Sequence, residues 1–390
     1  MVDVTPSTRR VSPIGVECFV YLAFGMPVAM LGVAWPTLRD DLGRADGDLG
    51  VLVLAYGLGR LATSASGGPI LRRLRFGLAS ALTLGGLALS GVWVATSPAW
   101  AALVVAFAVV GVLSGVLDSL GARFLAVSGS VRRAGLAAGS YGVGATLGPI
   151  VIALTDSVAV GFLTGAVVAL GAAAMVVAPG IDWPPGLDAP PVVSVVDRGR
   201  ELGFGDLLRT PAVLVSLGLF AAFVSVEVTA GGWLATVLED ARGIDDRLAG
   251  LSVGAFWGGI TIGRLLLGRF DLPDRALLVG VGVMFGSFAG LAVVPDALVL
   301  PLAVAAGLAV APQFPTLLAH TGTRVGEALA ARVSGYQLIA ANLAATGLAA
   351  LTGVIVSATG PAAPLAVLCV ISAVGGALLL IAPRLCPVPP

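Results

Sequence analysis

The sequence contains no lysine, a single histidine and few charged residues of any kind. Charged side chains make up 11% of its 390 residues, whereas soluble domains carry about a quarter. A chain with so few charges cannot cover its surface with groups that water solvates well, which excludes a soluble globular domain. The 22 basic residues balance 22 acidic ones. A net charge of zero predicts neither a nucleic-acid-binding surface nor a strong attraction for charged substrates.

The residues that enzymes and metal sites need are also scarce. The three cysteines, Cys18, Cys369 and Cys386, lie far apart and lack the spacing of a metal or redox motif. His320 is the lone histidine, and the chain has no Walker loop. The sequence therefore offers neither a Ser/His/Asp set nor a nucleotide-hydrolysing site. We expect no enzymatic activity, no cofactor and no metal ion.

Long apolar runs dominate the chain. Hydrophobic residues make up 57% of it, and the mean hydropathy is +1.01. Because a bilayer core about 30 Å thick requires roughly 20 apolar residues per helix, the runs predict an all-α polytopic membrane protein with twelve transmembrane helices. The predicted spans are about 14–38, 48–69, 76–97, 99–125, 134–155, 157–178, 210–237, 247–268, 275–294, 297–318, 332–355 and 362–382.

The distribution of arginine predicts the orientation of these spans. With the N-terminus inside, fifteen arginines fall on the cytoplasmic side and four fall in outer loops, namely Arg39, Arg44, Arg242 and Arg247. Basic residues concentrate on the cytoplasmic side of membrane proteins. The sequence therefore predicts a multi-pass protein of the cytoplasmic (inner) membrane with both termini in the cytoplasm. We expect a monomer in contact with the lipid bilayer, and no nucleic-acid partner.

Two similar halves are separated by a proline-rich linker. We predict an N-terminal six-helix bundle over 1–178, a cytoplasmic linker over 179–209 and a C-terminal six-helix bundle over 210–390. Gly50 to Tyr56 before Gly59 resembles Gly250 to Phe256 before Gly259, and Gly59-Arg60 recurs as Gly263-Arg264. Duplicated, pseudo-symmetric halves are typical of secondary transporters, which place the substrate site between them.

The chain resembles the major facilitator superfamily over its whole length. Between spans two and three that family carries a Gly-x-x-x-Asp-x-x-Gly-Arg type of loop, and here the corresponding stretch runs from Gly68 to Arg75. Arg72 stands where the family has an aspartate. The resemblance implies two six-helix bundles and alternating access. The departure at Arg72 puts the family's usual charge lock at this loop in doubt.

Several segments are similar to a fucose-permease-like branch of that family. They are Ala34 to Leu38, Glu227 to Leu234, Phe256 to Arg264 and Ala311 to Thr316. This similarity implies proton-coupled symport of a sugar or a similar small polar solute. The carboxylate that such a permease has late in span one, near Gly32, is missing, whereas its span-four carboxylate aligns with Asp118.

Two alternatives remain open at the level of sequence. Gly144 to Pro149 in span five is similar to the first half of the antiporter motif of proton-driven drug exporters, although Ile152 and Ala153 replace the glycine pair expected after the proline. An antiporter that exports drugs or metabolites is therefore the second candidate. A non-transporting membrane sensor or scaffold is a remote third, because the chain has no long soluble domain.

Ionisable side chains within spans are costly, and they usually face a partner or a water-filled path. We predict Asp118 and Glu227 as proton-coupling residues, with Glu227 towards the outer side of its span and also accepting substrate. The competing interpretation of Asp118 is a structural ion pair with Arg60 or Arg123. Glu17, three residues into span one, is interpreted as an interfacial residue.

The other candidate site residues fall into two groups. Aromatic and amide side chains within spans can form a cavity wall that binds a ring and its hydroxyl groups. The predicted substrate-binding residues are Trp35, Tyr56, Tyr141, Glu227, Trp233, Trp257, Gln313, Tyr336, Gln337 and Asn342. The predicted gating residues are Arg60, Arg72, Arg123 and Arg264.

Overall fold

The computed structural model describes residues 12–64, 74–96, 99–128, 131–188, 209–267, 270 and 272–385. The first half of the described chain contains six helices. They are α1 (Pro13–Leu42), α2 (Leu49–Ser64), α3 (Phe76–Thr96), α4 (Trp100–Ser128), α5 (Val131–Thr155) and α6 (Val158–Val176). The second half contains α7 (Pro211–Thr236), α8 (Asp246–Leu267), α9 (Asp274–Leu291), α10 (Val299–Val310), α11 (Gln313–Ala319), α12 (Thr321–Val325), α13 (Glu327–Thr359) and α14 (Ala363–Leu385).

The helices confirm the predicted all-helical membrane fold. Among the described residues, 11 helices are long and apolar enough to cross a membrane. The described part of α2 has 16 residues, and the segment that follows it lies outside the described residues. Large apolar side chains such as Leu89 and Val167 are 72% and 69% exposed. Such surfaces are expected where helices face lipid.

Proline and glycine set several helix boundaries. Pro13 and Pro211 stand at the starts of α1 and α7, where a missing backbone N–H costs nothing. Gly43 ends α1 with a φ of 58°, a conformation that suits glycine. Span ten is confirmed as one apolar segment over Asp296–Ala319, but its helix is interrupted. It stops at Val310 and resumes at Gln313, because Pro312 cannot donate a backbone hydrogen bond.

Successive long helices run in opposite directions, so the molecule has two distinct ends. We call the end where α6 stops and α7 starts the linker end. We call the other end, where the loops after α1 and α7 carry Asp46 and Asp240, the acidic-loop end. The halves meet mainly through three helix pairs, α1 with α7, α2 with α13, and α5 with α8, and α1 also contacts α8. Side chains of these six helices therefore decide what lies between the halves.

Glycines bring α1 and α7 together towards the acidic-loop end. A Cβ atom on Gly32 would overlap the carbonyl oxygen of Gly231 and lie 2.8 Å from that of Gly232. Gly50 and Gly353 make a similar backbone approach between α2 and α13, with 3.3 Å between a Cβ on Gly50 and the Cα of Gly353. Because no side chains separate these backbones, the halves are closely packed at this end.

Candidate functional site

An ion pair joins α2 and α4 within the first half. Arg60 donates from Nε to Asp118 Oδ2 at 2.6 Å and from Nη2 to Oδ1 at 3.2 Å. The two helices approach closely because Gly59 packs on the carbonyl of Ala108 and Gly111 packs on the carbonyl of Tyr56. Two parallel hydrogen bonds between a guanidinium and a carboxylate fix both side chains in orientation.

The second half has an ion pair of its own between α7 and α8. Arg264 donates from Nη2 to Glu227 Oε2 at 2.7 Å, and the two side chains are 20% and 14% exposed. The sequence predicted Glu227 towards the outer side of its span. In the structure Glu227 is near the midpoint of a span of 31 residues, because the helical segment continues to Ala241.

Tyr141 on α5 is close enough to both ion pairs to interact with their charges. It interacts electrostatically with Arg60, Asp118 and Glu227. Its ring makes an edge contact with Phe24 on α1, with ring centres 5.1 Å apart, and the Arg60 guanidinium carbon lies 5.9 Å from the centre of the Phe24 ring. The ion pairs of the two halves and two aromatic rings therefore converge on one region.

Two more of the predicted substrate-binding residues, Tyr56 and Trp257, are buried. Tyr56 is buried and interacts with Arg60 and Asp118. Trp257 is also buried, and its indole packs where a Cβ on Gly231 would be. Within the described residues the indole N–H of Trp257 has no hydrogen-bond partner. A buried donor that no protein group uses can bind a ligand acceptor.

The other two tryptophans make structural hydrogen bonds towards the acidic-loop end. Trp35 donates from its indole nitrogen to the carbonyl of Asp46 at 3.0 Å, and its ring contacts Trp100. Trp233 donates to the carbonyl of Ala349 at 3.0 Å, which ties α7 to α13. The structure thus places these two rings away from the ion pairs and gives their N–H groups protein partners.

In the second half, the amide and tyrosine side chains that were predicted to bind substrate contact protein groups instead. Gln337 donates to Ser216 at 2.6 Å and accepts from Thr321 at 3.1 Å, so it links α13, α7 and α12. Gln313 donates to the carbonyl of Leu277 on α9. Asn342 donates to Leu338 on its own helix, and Tyr336 packs in a small apolar cluster with Val213 and Val333. These side chains are not gathered with Tyr141.

The predicted gating arginines occupy different environments. Arg60 and Arg264 form the two ion pairs described above. Arg123 donates to the carbonyl of Gly186 at 3.4 Å, in the segment directly after α6. Trp183 of that segment packs on Phe76 and Phe124. Arg72 lies outside the described residues.

Arg39 forms an ion pair between the halves that the sequence did not single out. At the acidic-loop end it contacts Asp46 at 2.6 Å and also contacts Asp240 of the second half. Sequence reasoning treated Arg39 as an outer-loop arginine, because it follows the last apolar residue of span one. The signal that was available was the acidic character of both outer loops, with Arg39 at the start of the first of them.

The family model of the Major Facilitator Superfamily matches residues 18–347. A curated relative, Bypass of stop codon protein 6 from Saccharomyces cerevisiae (strain ATCC 204508 / S288c), is 39% identical over 67 residues. That match covers 17% of this chain and 13% of the yeast protein, so this chain spans a small part of that relative.

Three solved structures share the fold over nearly the whole chain. A bacterial homolog of the human lysosomal transporter Spinster, inward-facing and unoccupied, has a TM-score of 0.71 at 14% identity and covers 96% of both chains. A variant of the nucleoside transporter NupG has a TM-score of 0.71 at 13% identity, covering 95% of this chain and 98% of that one. The D-xylose-proton symporter has a TM-score of 0.70 at 14% identity, covering 96% and 97%.

Proposed function

The chain belongs to the Major Facilitator Superfamily, and we propose that it is a proton-coupled symporter of a small, sugar-like polar solute. The protein is a multi-pass membrane transporter. In the proposal it lies in the cytoplasmic membrane with the linker end and both termini in the cytoplasm, as the arginine distribution indicates. Transport proceeds by alternating access, with the solute bound between the two halves.

The proposal is supported by two ion pairs, one from each half, whose charges both act on Tyr141. Arg60 with Asp118 comes from the first half, and Arg264 with Glu227 comes from the second. Paired charges within a membrane are costly to retain unless they serve transport or a partner. A solute that competes for the hydrogen bonds of either pair changes the balance between the halves.

Proton coupling follows from what neutralising one carboxylate would do. A proton on Asp118 removes the negative charge that holds Arg60, so the guanidinium becomes free to bind solute or to move with α2. Loss of that proton restores the ion pair. The state of the pair can in this way be linked to solute binding, which is the requirement for coupled transport.

The solute class is proposed from three aromatic side chains within the spans. The rings of Tyr56, Tyr141 and Trp257 and the free indole N–H offer flat apolar faces beside polar groups, which suits a sugar ring and its hydroxyl groups. Similarity of the Glu227 to Leu234 segment to a fucose-permease-like branch supports the same class. Among the proteins of shared fold are a D-xylose-proton symporter and a nucleoside transporter.

Export by antiport has weaker support. The span-five glycines that resemble an antiporter motif pack against α1: Gly144 lies on the carbonyl of Leu22, and Gly148 lies on Met26 and Met30. Close packing of α5 on α1 is sufficient reason for small residues at these positions, so the motif does not favour export over import.

The test uses purified protein in liposomes that contain a trapped pH-sensitive dye. D-Xylose and uridine are added outside without any other driving force, and an amphipathic cationic drug is added in a parallel sample. Acidification of the lumen with D-xylose or uridine, absent from protein-free liposomes, is the expected result. Proton movement of the opposite sign with the drug alone would make the protein an exporter. The absence of proton movement with all three compounds would reject proton-coupled transport of these solutes.

A further inference from the structure

We infer that Glu17 is a proton-binding residue that exchanges its proton with Asp118 through Tyr21. This inference rests on the proposed function, because it assigns a path to the coupled proton. Glu17 lies on α1 near the linker end, four residues before Tyr21 and therefore on the same helix face. The sequence placed it at the interface with water, where a carboxylate would be solvated.

The structure differs from that expectation, because Glu17 is buried. The residue is 2% exposed, and among the described residues its carboxylate forms neither a hydrogen bond nor an ion pair. Asp118 and Glu227 are held by arginines at 2.6 Å and 2.7 Å. Of these three carboxylates, Glu17 lacks a cation that would stabilise its charged form. A buried carboxylate without a partner is expected to take up a proton rather than to keep its charge.

Tyr21 connects Glu17 to Asp118. The phenol interacts electrostatically with both carboxylates. Its hydroxyl lies against Gly121 on α4, where a Cβ atom would overlap it, and Gly121 is three residues after Asp118 on the same helix. The absence of a side chain at Gly121 therefore lets a hydroxyl group reach α4 within one turn of the ion pair.

Two of the helices packed against α1 carry no charged residues, and the others carry a small set. Helices α3 and α6, which pack on α1, carry no charged residues between Phe76 and Thr96 or between Val158 and Val176. The ionisable groups on the other helices packed against α1 are Asp118 and Arg123 on α4, Arg132, Arg133 and Tyr141 on α5, Glu227 on α7, and Asp246, Arg247 and Arg264 on α8.

The transfer balances in protons and charge. The protonated carboxyl of Asp118 gives its proton to the Tyr21 oxygen, directly or through water, while the Tyr21 hydroxyl gives its own proton to the Glu17 carboxylate. Glu17 becomes neutral, Asp118 becomes negative and Tyr21 is unchanged. The Asp118 carboxylate then pairs again with Arg60. Glu17 finally releases the proton to water at the linker end.

The experiment compares Glu17→Gln with the intact protein in dye-loaded liposomes, with D-xylose and uridine as solutes. Solute-driven proton movement is expected to slow by about a hundredfold, the lower range for loss of a positioned proton-transfer group. Exchange of radiolabelled solute across the membrane needs no net proton transfer and is expected to persist near the wild-type rate. Glu327→Gln, an exposed carboxylate at the same end, is the matched control and should leave both rates unchanged.

Wild-type rates of proton movement in Glu17→Gln would overturn the inference and leave the proposed function intact. If Glu17→Gln loses exchange as well, Tyr21→Phe decides: slowed proton movement with intact exchange supports the path, and unchanged proton movement rejects it. If the wild-type protein moves no protons with either solute, the proposed function fails. Infrared titration of purified protein then tests only whether Glu17 binds a proton. A protonated-carboxyl band that is present in the intact protein and missing from Glu17→Gln supports proton binding by Glu17, and an unchanged spectrum rejects it.

Discussion

The two halves of the molecule share their helix packing but not their charges. In the first half, Gly59 packs on the carbonyl of Ala108, and Gly111 packs on that of Tyr56. In the second half, Gly259 packs on Val304, Gly307 packs on Phe256, and these contacts join α8 to α10 as the former join α2 to α4. The four crossing glycines, Gly59, Gly111, Gly259 and Gly307, therefore occupy equivalent positions.

The arginines do not follow this equivalence. Arg60 comes directly after its crossing glycine, whereas Arg264 comes five residues after Gly259, about one helical turn further. Their partners also differ, since Asp118 lies on α4 and Glu227 lies on α7. Backbone packing tolerates no side chain at the crossings, while polar residues on the faces between the halves can change. The two ion pairs therefore need not have the same role.

The largest expected effect is on coupling in the first half. Asp118→Asn leaves Arg60 without its carboxylate partner and removes a group that can carry a proton. We expect accumulation of D-xylose or uridine against a gradient to fall to simple equilibration, while solute exchange persists in part. Uptake and exchange assays in liposomes measure the two separately.

Asp156→Asn is the matched control for this change. Asp156 lies at the end of α5 with a φ of 51°, a conformation that asparagine adopts as readily as aspartate. Unchanged accumulation in Asp118→Asn would mean that the Arg60–Asp118 pair only holds α2 and α4 together.

The next effect tests whether the crossings are equivalent. Gly111→Ala and Gly307→Ala each force a methyl group onto a backbone carbonyl, so both should destabilise the protein by about 1–3 kcal/mol, the usual cost of overpacking. Thermal unfolding of the purified variants provides the measurement. Gly85→Ala and Gly282→Ala are controls, because a Cβ at either position meets no atom within 4 Å. Destabilisation at one crossing alone would show that the halves are packed differently.

The sequence predicted the fold well because its signals are long and repetitive. Apolar runs such as that of α4 exceed what a soluble helix needs, and the glycines at offset 200 marked α2 and α8 as equivalent. Interruption of span ten at Pro312 was not predicted, although proline is its physical cause. The predicted domain boundaries remain predictions.

The candidate site could be predicted only in part. Charge within a span identified Asp118, Glu227, Arg60 and Arg264, because such residues are rare in lipid. The sequence pattern could not show which arginine pairs with which carboxylate, because the pairing depends on helix rotation and on the distance between the halves. It also could not separate Gln337, whose amide bonds Ser216, from a side chain that is free to bind solute.

A smaller effect is expected from the ion pair of the second half. If this pair serves binding, Glu227→Gln weakens the affinity for the transported solute by about tenfold, which corresponds to about 1.4 kcal/mol. Calorimetric titration with D-xylose and uridine measures the affinity. Glu239→Gln, further along the same span at the acidic-loop end, should bind as the intact protein does. Equal affinities for all three proteins would remove Glu227 from the binding site.

The smallest effect concerns Arg39, which connects the halves instead of acting within one. Exposed ion pairs contribute up to about 1 kcal/mol, so Arg39→Gln should raise the population that is open at the acidic-loop end by no more than about fivefold. Spin labels on Thr155→Cys and Val293→Cys, with the native cysteines replaced, report that opening as a longer distance. Arg247→Gln removes a basic residue at the same end and is the control. An unchanged distance distribution in Arg39→Gln would mean that the backbone contact of Gly32 with Gly231, rather than charge, keeps this end closed.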